Sequence, residues 1–384
     1  MTLVPLAVVS FCYALVWSFT HVAIPFYVHD VSPHDSAATL RWIGWIVGIP
    51  YPLTILTTPA WVRVAERNPR RFLLLAHAAQ GVLFVLTGIN TDLTVLVIIR
   101  AVLGVTGPAT VFAFMVASRA NETPPQIAAM QSAGTIGQIL GPLLGALGAA
   151  RLGYTGTFVA GGVILLLSVV FIAGTISARP GPWPPAARPP DASRAGIPAL
   201  GFLVFIEFSL LSFLSAVLPA VMGYLARPPG EALDLAGMML FVSGAAFAAG
   251  TLLASPLATR FGERATVRWC HIAACIVVGM LALAPDVRTF TGLRGLQALF
   301  LGPAITLLMA RGAQHPNSQA IGALNSARMT ANLGGPVLAT TLLSYLPVNV
   351  MFALFAVLGL GALAMLPRRP PAPPAAPVGA VSST

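Results

Sequence analysis

Polar and apolar positions along the chain alternate on a scale of about twenty residues, the length an α-helix needs to cross a bilayer. Apolar runs fall near 4–28, 40–61, 72–89, 94–117, 127–150, 157–177, 197–222, 236–257, 269–285, 292–310, 319–345 and 348–366. Gly, Pro or charged residues separate them. The pattern predicts an all-α membrane protein of twelve transmembrane helices, with both ends of the chain on one side. The first run is long, has no basic segment before it and is followed by eleven more, so it reads as a span and not a removed signal. Between the sixth and seventh runs lies SARPGPWPPAARPPDASRAG, too stiff and polar to be buried, and after Arg369 comes PPAPPAAPVGAVSST, which reads as disordered. The expected organisation is an N-terminal six-helix bundle over 1–178, a Pro-rich linker over 179–196, a C-terminal six-helix bundle over 197–367 and a tail over 368–384.

The halves repeat each other. Arg100, Gly107 and Pro108 in the fourth span correspond to Arg294, Gly302 and Pro303 in the tenth, and Gly141 and Pro142 in the fifth to Gly335 and Pro336 in the eleventh, at shifts of 194 or 195 residues. Arg67 and Arg260 agree at 193. A shared shift predicts two bundles related by an axis normal to the membrane, with a chamber between them at mid-depth and transport by rocking one bundle on the other.

Composition agrees. Of 384 residues 57% are hydrophobic and 8% charged, with a mean hydropathy of +0.85, whereas a soluble protein carries about 25% charge. A water-facing surface cannot be assembled from that, which excludes secreted, disordered and nucleic-acid-binding classes. The net charge of +10 comes from 21 basic residues, all Arg. Fourteen of them fall at one side of the membrane, among them Arg63, Arg67, Arg70, Arg71, Arg260, Arg264, Arg268 and Arg311; four fall at the other, Arg41, Arg151, Arg227 and Arg288. That asymmetry is the positive-inside pattern, so the Arg-rich side with both termini is expected to be cytoplasmic. Cys12, Cys270 and Cys275 lie in apolar runs without metal-ligand spacing and read as small core residues. The absence of Lys with abundant Ala, Arg, Gly and Pro suggests a bacterium of GC-rich DNA and hence its inner membrane.

After the second span, Glu66 stands among Arg63, Arg67, Arg70 and Arg71, an arrangement that can latch a loop by pairing acid, bases and helix ends. It resembles the loop signature G-x-L-A-D-R-x-G-R-[RK] of the major facilitator superfamily, with Val62 and Pro69 in place of the glycines; the second copy around Arg260 keeps Arg-x-Gly and lacks the acid. The fifth span carries Gly134, Gly137, Gly141, Pro142, Gly145 and Gly148. Small residues on one face let helices approach, and a proline removes a backbone bond so the helix can bend. This is similar to the G-x-x-x-G-P-x-x-G-G motif of proton-coupled exporters, with Ala146 at the last glycine. With Arg100 and Gly104 in the fourth span and Pro25 and Phe26 in the first, the chain resembles the twelve-span drug:proton antiporters of that superfamily. The resemblance covers residues 1 to about 175, and the second half chiefly through the repeat. It implies the major facilitator fold, a role in bending for Gly141, Pro142, Gly145, Gly335 and Pro336, a switch role for Glu66, Arg67, Arg70, Arg71 and Arg260, and a role in proton coupling for Arg100.

An ionisable group in a bilayer costs roughly 2.5–3.5 kcal/mol, so each needs a reason. Of eleven acids, ten fall in loops and only Glu207 lies within a span, about ten residues into the seventh. It suits a group that loads and unloads a proton, or a static partner for an Arg. Arg328, nine residues into the eleventh span, is the partner expected; its equivalent in the first half is Gly134, so it is an addition to the repeat. His21 is a further titrating candidate, while His77 and His271, near span ends on peripheral helices, are given no role. Ser18, Gln131, Gln138, Ser209, Ser212, Arg294, Gln297, Asn325 and Asn332 are candidates for the chamber lining, with Arg294 equally readable as a hydrogen-bonder to carbonyls. Trp42 and Trp45 read as interface anchors. The first span lacks the acid many such exporters carry there, and three Arg against one Glu favour anionic or zwitterionic cargo.

The expected function is proton-coupled efflux of an amphiphilic drug-like solute by alternating access, with a small-molecule solute, protons and lipid as partners, no nucleic acid, no cofactor and no metal, as a monomer. The alternatives are a dedicated exporter of an anionic metabolite or siderophore, and a non-transporting sensor of the same fold. An enzyme would need clustered acids or a nucleophile with its base, which the spans do not supply.

Overall fold

The computed structural model describes residues 3–119, 124–176, 197–225, 227–313 and 319–365. Thirteen α-helices follow in order: α1 Leu3–Val31, α2 Ser36–Gly48, α3 Pro50–Ala65, α4 Pro69–Ile89, α5 Leu93–Val105, α6 Ala109–Arg119, α7 Pro124–Thr175, α8 Ile197–Tyr224, α9 Pro229–Phe261, α10 Glu263–Leu281, α11 Val287–Ala313, α12 Gln319–Leu343 and α13 Val348–Ala362. No strand occurs among the described residues. Among the described residues nine segments are long and apolar enough to cross a membrane, and one of these, α7, is two helices meeting at Gly153. Splitting it there and adding α12 and α13 gives the twelve passes the sequence predicts. The expected linker over 179–196 and tail over 368–384 lie outside the described residues.

Two passes are broken where sequence periodicity alone predicts continuous helices. The second runs as α2 and α3, with Ile49 between them and Pro50 opening α3. The fourth breaks at Gly107, whose φ of +103° is open to glycine and strained for other residues, followed by Pro108. At the corresponding place in the second half, Pro303 sits inside an uninterrupted α11. Each break frees carbonyls inside the membrane, where no water can satisfy them. Side chains do so: the Trp61 indole donates to the Val105 carbonyl (2.7 Å), and Gln80 Nε2 donates to Gly107 (3.1 Å) while its Oε1 accepts from Trp17 Nε1 (2.9 Å).

At the Arg-poor end, three acids cap helices. Asp35 accepts from the Ala38 amide (2.7 Å), Asp92 from Thr94 (2.8 Å) and Val95 (3.1 Å), and Asp286 from Thr289 (2.9 Å). Each satisfies amides that a helix start leaves without partners.

The helices pair in the same way in each half. α1 lies on α7 as α8 lies on α12, α3 on α5 as α9 on α11, and α4 on α7 as α10 on α13. The correspondence reaches individual atoms. A Cβ on Gly141 would meet Ser18 and the Leu15 carbonyl, and a Cβ on Gly335 would meet the Ser212 hydroxyl at 2.8 Å and the Ser209 carbonyl at 2.9 Å. Ser18 and Ser212 are 194 residues apart, as are the glycines. Pro142 lies inside α7, where only Gly153 departs from helical dihedrals.

The halves meet along two glycine-lined seams. On one, a Cβ on Gly44 of α2 would lie 3.3 Å from Val337 Cα of α12, and one on Gly48 would lie 3.2 Å from Leu333 Cα. On the other, Gly237 and Gly244 of α9 face Pro142 and Ile139 of α7. Both seams run from the far end to about mid-membrane. There one buried cluster joins Val22 and Phe26 of α1 and Ala146 of α7 to Leu214, Val217 and Val221 of α8 and Met239 of α9. At the Arg-rich end the buried clusters are separate: one gathers Leu6, Leu73, Phe112 and Ile172 of the first half, the other Leu200, Val267, Leu308 and Leu324 of the second. The bundles are therefore sealed at the far end and part towards the arginines.

Close helix approach at Gly141 has a measurable cost if lost. Gly141→Ala is expected to lower the unfolding temperature of the purified protein, by an amount corresponding to about 1–3 kcal/mol of overpacking. Gly174→Ala, at a helical glycine whose Cβ would meet nothing within 4 Å, is expected to be neutral or slightly stabilising.

Candidate functional site

Helical spacing identifies which side chains face the gap between the bundles. On α7, Gly137, Gly141 and Gly145 face α1, Ile139 and Leu143 face α9, and the exposed apolar Ile136 and Leu144 point the other way. Gln131 and Gln138, seven residues apart, fall between the two contact faces and so line the gap. On α12, Ala331 and Gly335 face α8, Leu333, Val337 and Thr340 face α2, and Asn325, Arg328 and Asn332 form the stripe between. Gln131 corresponds to Asn325 and Gln138 to Asn332 at the repeat shift of 194. The gap is thus flanked by two repeat-related amide stripes, with Arg328 added to one.

Other expected lining residues are engaged elsewhere. Ser18 is buried against Gly141, Ser209 and Ser212 lie in the α8–α12 contact, and Gln297 is wholly buried. Arg294 is 1% exposed; it donates to the carbonyls of Leu210 (3.1 Å) and Leu211 and to Gln297, whose own Nε2 reaches Leu210 at 3.0 Å. It holds α8 against α11 and presents little to the gap.

Arg100, also 1% exposed, spans the break in the second pass. Pro50 has no N–H, so the Ile46 carbonyl four residues back lacks its helical donor, and Arg100 Nε supplies one at 3.0 Å, with Nη2 near Val47 (3.5 Å). Its Nη1 is buried without a partner, and Trp17 covers the guanidinium at 5.4 Å. Beside it, His21 Nε2 meets the Tyr51 hydroxyl at 3.4 Å. Tyr51 was no candidate in the sequence, yet it interacts electrostatically with both Arg100 and Arg328. Arg328 donates to Asn325 Oδ1 (2.8 Å), leaves Nε buried without a partner, and lies over the Phe208 ring at 5.9 Å.

The expected pair of Glu207 with Arg328 is absent from this conformation. Glu207, 1% exposed, turns from the gap towards α10 and α13, and its Oε1 meets His271 Nδ1 at 2.7 Å. His271 Nε2 meets the Gly359 carbonyl at 2.8 Å. A carbonyl only accepts, so Nε2 carries a hydrogen, and one further proton lies between imidazole and carboxyl. The pair is neutral whichever of the two holds it, which spares the bilayer an isolated charge. Glu207 Oε2 has no partner, and Cys275 Sγ lies 3.5 Å from Nε2. The charge at Arg268 makes the ninth span look as if it begins there, which would leave His271 at the membrane's edge. The helix starts at Glu263, which puts His271 nine residues in, level with Glu207, while Arg268 lies over Trp269 at 6.0 Å. No group of His, Cys, Asp and Glu able to hold a metal occurs among the described residues.

In the loop after the second pass, Arg70 donates to the carbonyls of Ile176 and Ala173 (2.9 Å for the latter), closing the open end of α7. Asn68 caps α4 by accepting from the Arg71 amide (3.2 Å). Glu66 caps α3 through its backbone alone, and Arg260 lies over the ring of Phe261 at 5.4 Å.

Two pseudo-symmetric six-helix halves around a polar gap define a polytopic membrane transporter. The chain belongs to the Major Facilitator Superfamily, whose sequence profile matches residues 6–201 and 200–382. An uncharacterised MFS-type transporter of Bacillus subtilis (strain 168), YuxJ, is 25% identical over 361 residues, 87% of this chain and 90% of that one. The multidrug resistance protein MdtG of Escherichia coli (strain K12 / DH10B) is 24% identical over 341 residues, 83% of this chain and 82% of its own. Among solved structures, a D323A mutant of the nucleoside transporter NupG superposes with a TM-score of 0.74 at 14% identity, over 96% of this chain and 100% of that one. A bacterial homologue of the human lysosomal transporter Spinster, inward-facing and occupied, gives 0.75 at 14% identity over 95% of each chain.

Two stability experiments check this geometry. Arg100→Gln is expected to cost about 1–3 kcal/mol by leaving the Ile46 carbonyl unmet. Pro50→Ala restores an N–H to that carbonyl, so in a double-mutant cycle the second substitution should recover part of the loss. His271→Leu, which strands Glu207, is expected to cost about 3–5 kcal/mol in unfolding free energy, and adding Glu207→Leu should restore most of it.

Proposed function

We propose that the protein is an alternating-access exporter that moves an amphiphilic organic solute out of the cytoplasm in exchange for protons. The observation that carries this reading is the pair of repeat-related amide stripes, Gln131 with Gln138 and Asn325 with Asn332, facing each other between bundles sealed at one end. Polar amides beside aromatic faces such as Trp17 and Phe208 suit a ligand of mixed character. The name of the MdtG relative, a multidrug resistance protein, agrees with efflux. On this reading the positive-inside rule puts the Arg-rich end with both termini at the cytoplasm of a bacterial inner membrane, so the gap in this conformation opens to cytoplasmic solute.

Protons supply about 2.3 kcal/mol per charge per 100 mV. Glu207 with His271 is the site proposed to handle them, since its single proton sits between two titratable groups at mid-membrane. His21, which meets Tyr51, and Arg100 are proposed to take part from the first half. The loop of Glu66, Arg67, Arg70 and Arg71, with Arg260 opposite, is proposed to fasten and release the cytoplasmic ends as the bundles rock, and the Gly141–Pro142 and Gly335–Pro336 turns are proposed to give where the helices bend.

Comparing metabolites in the medium of wild-type and deletion strains should show at least one amphiphilic solute exported only by the wild type; an unchanged profile would favour a sensor. In proteoliposomes with that solute, Glu207→Gln is expected to lower pH-gradient-driven flux at least tenfold while sparing solute exchange without a gradient. Unchanged pH-driven flux would remove Glu207 from coupling.

A further inference from the structure

Two guanidinium groups, one from each half, have no carboxylate partner among the described residues. Arg100, from the first half, keeps a buried Nη1 without a partner, and Arg328, from the second, keeps a buried Nε without one. Each has an aromatic ring over one face, Trp17 and Phe208, which shields the cation from lipid and neutralises nothing. Tyr51 interacts electrostatically with both. Glu207, the only acid buried among the described residues, faces the opposite side of α8 and is taken up by His271. Arg328 has Gly134 as its repeat counterpart, so the helix geometry at this position does not require a cation. Arg100 holds Ile46 with Nε and leaves Nη1 over, and Arg328 holds Asn325 with Nη2 and leaves Nε over. Two desolvated donors of like charge, one on each bundle, form half of a site whose other half is an anion.

We infer that the gap takes an organic anion, its carboxylate, sulfonate or phosphonate group held between Arg100 and Arg328 with the Tyr51 hydroxyl as a third donor, and its apolar body lying along the amide stripes. This rests on the transporter reading above and names its substrate class. The anion also acts as the counter-ion that lets the bundles close. As the Arg-rich end narrows, the two bare guanidiniums approach and repel; with an anion between them the repulsion becomes attraction to a shared partner. Loaded and empty carriers thereby differ in how readily they close.

The test uses the full-length protein in lipid nanodiscs and three probes that share one ring system and differ in charge: 2-naphthoate, 2-naphthamide and 2-naphthylmethylammonium. Binding is read by thermal stabilisation and by tryptophan fluorescence. The expected result is that naphthoate binds at least tenfold more tightly than the amide or the ammonium, that Arg328→Gln weakens naphthoate at least tenfold, that Tyr51→Phe weakens it about threefold, and that Arg328→Lys retains a preference for the anion. Arg268→Gln, an exposed cation outside the gap, should leave affinity unchanged and controls for general charge. Equal binding of the amide or ammonium, no binding of naphthoate, or an Arg328→Gln protein that binds naphthoate as the wild type does would overturn the inference. Preference for the ammonium with solute flux intact overturns the anion alone; loss of flux in the deletion comparison bears on the transporter reading and is read separately.

Discussion

A carbonyl that loses its helical partner inside a bilayer has no water to turn to, and much of this structure is organised around that constraint. Breaking the second and fourth passes gives the bundle its shape and exposes the acceptors of Ile46, Val105 and Gly107. Their donors come from other passes: Arg100, Trp61 and Gln80. Satisfying the backbone therefore also ties neighbouring helices together. This is why long polar side chains occur in spans that are otherwise apolar, and why a buried arginine such as Arg294 can serve the fold alone.

The arginines divide by whether the repeat contains them. Arg100 and Arg294 occupy equivalent places and both serve carbonyls, although the helices they hold differ: the broken second pass in one half, the seventh in the other. Arg328 has only a glycine opposite it and faces the gap with Phe208 beneath it. Duplication supplied the scaffold with its cations, and departure from duplication supplied a charge in the place where the two halves confront each other. The amide stripes lie between these cases, since they keep their chemistry across the repeat while shortening from Gln to Asn.

The spans and their duplication were legible because both are written in long, redundant patterns: runs of about twenty apolar residues, and glycine, proline and arginine at one shift. Gln131, Gln138, Asn325 and Asn332 stand out in the sequence as polar residues in apolar helices, and their repeat shift of 194 pairs them; the chamber role given to them is a proposal. What was not legible depended on where a helix begins. Arg264 and Arg268 look like loop residues, yet they belong to the first turns of α10, where long side chains reach the headgroups while their stems stay apolar. Moving that boundary by two turns brings His271 to the depth of Glu207. Tyr51 has a different reason: a tyrosine two residues after the break in the second pass has no periodic signature, and only the fold brings it within electrostatic reach of two arginines from different halves.

Glu207 and Phe208 are consecutive on α8, the first turned to the rear of its bundle, the second supporting Arg328 beside the gap. The proton site and the cargo site proposed above, so arranged, share a helix but no space. Neither occupant can displace the other by crowding it out, so communication between them has to travel as a rotation or tilt of α8. An inhibitor lodged in the gap would then alter the energetics of protonation without blocking access to it, and the two ligands would behave as heterotropic effectors of each other, not as rivals for a seat.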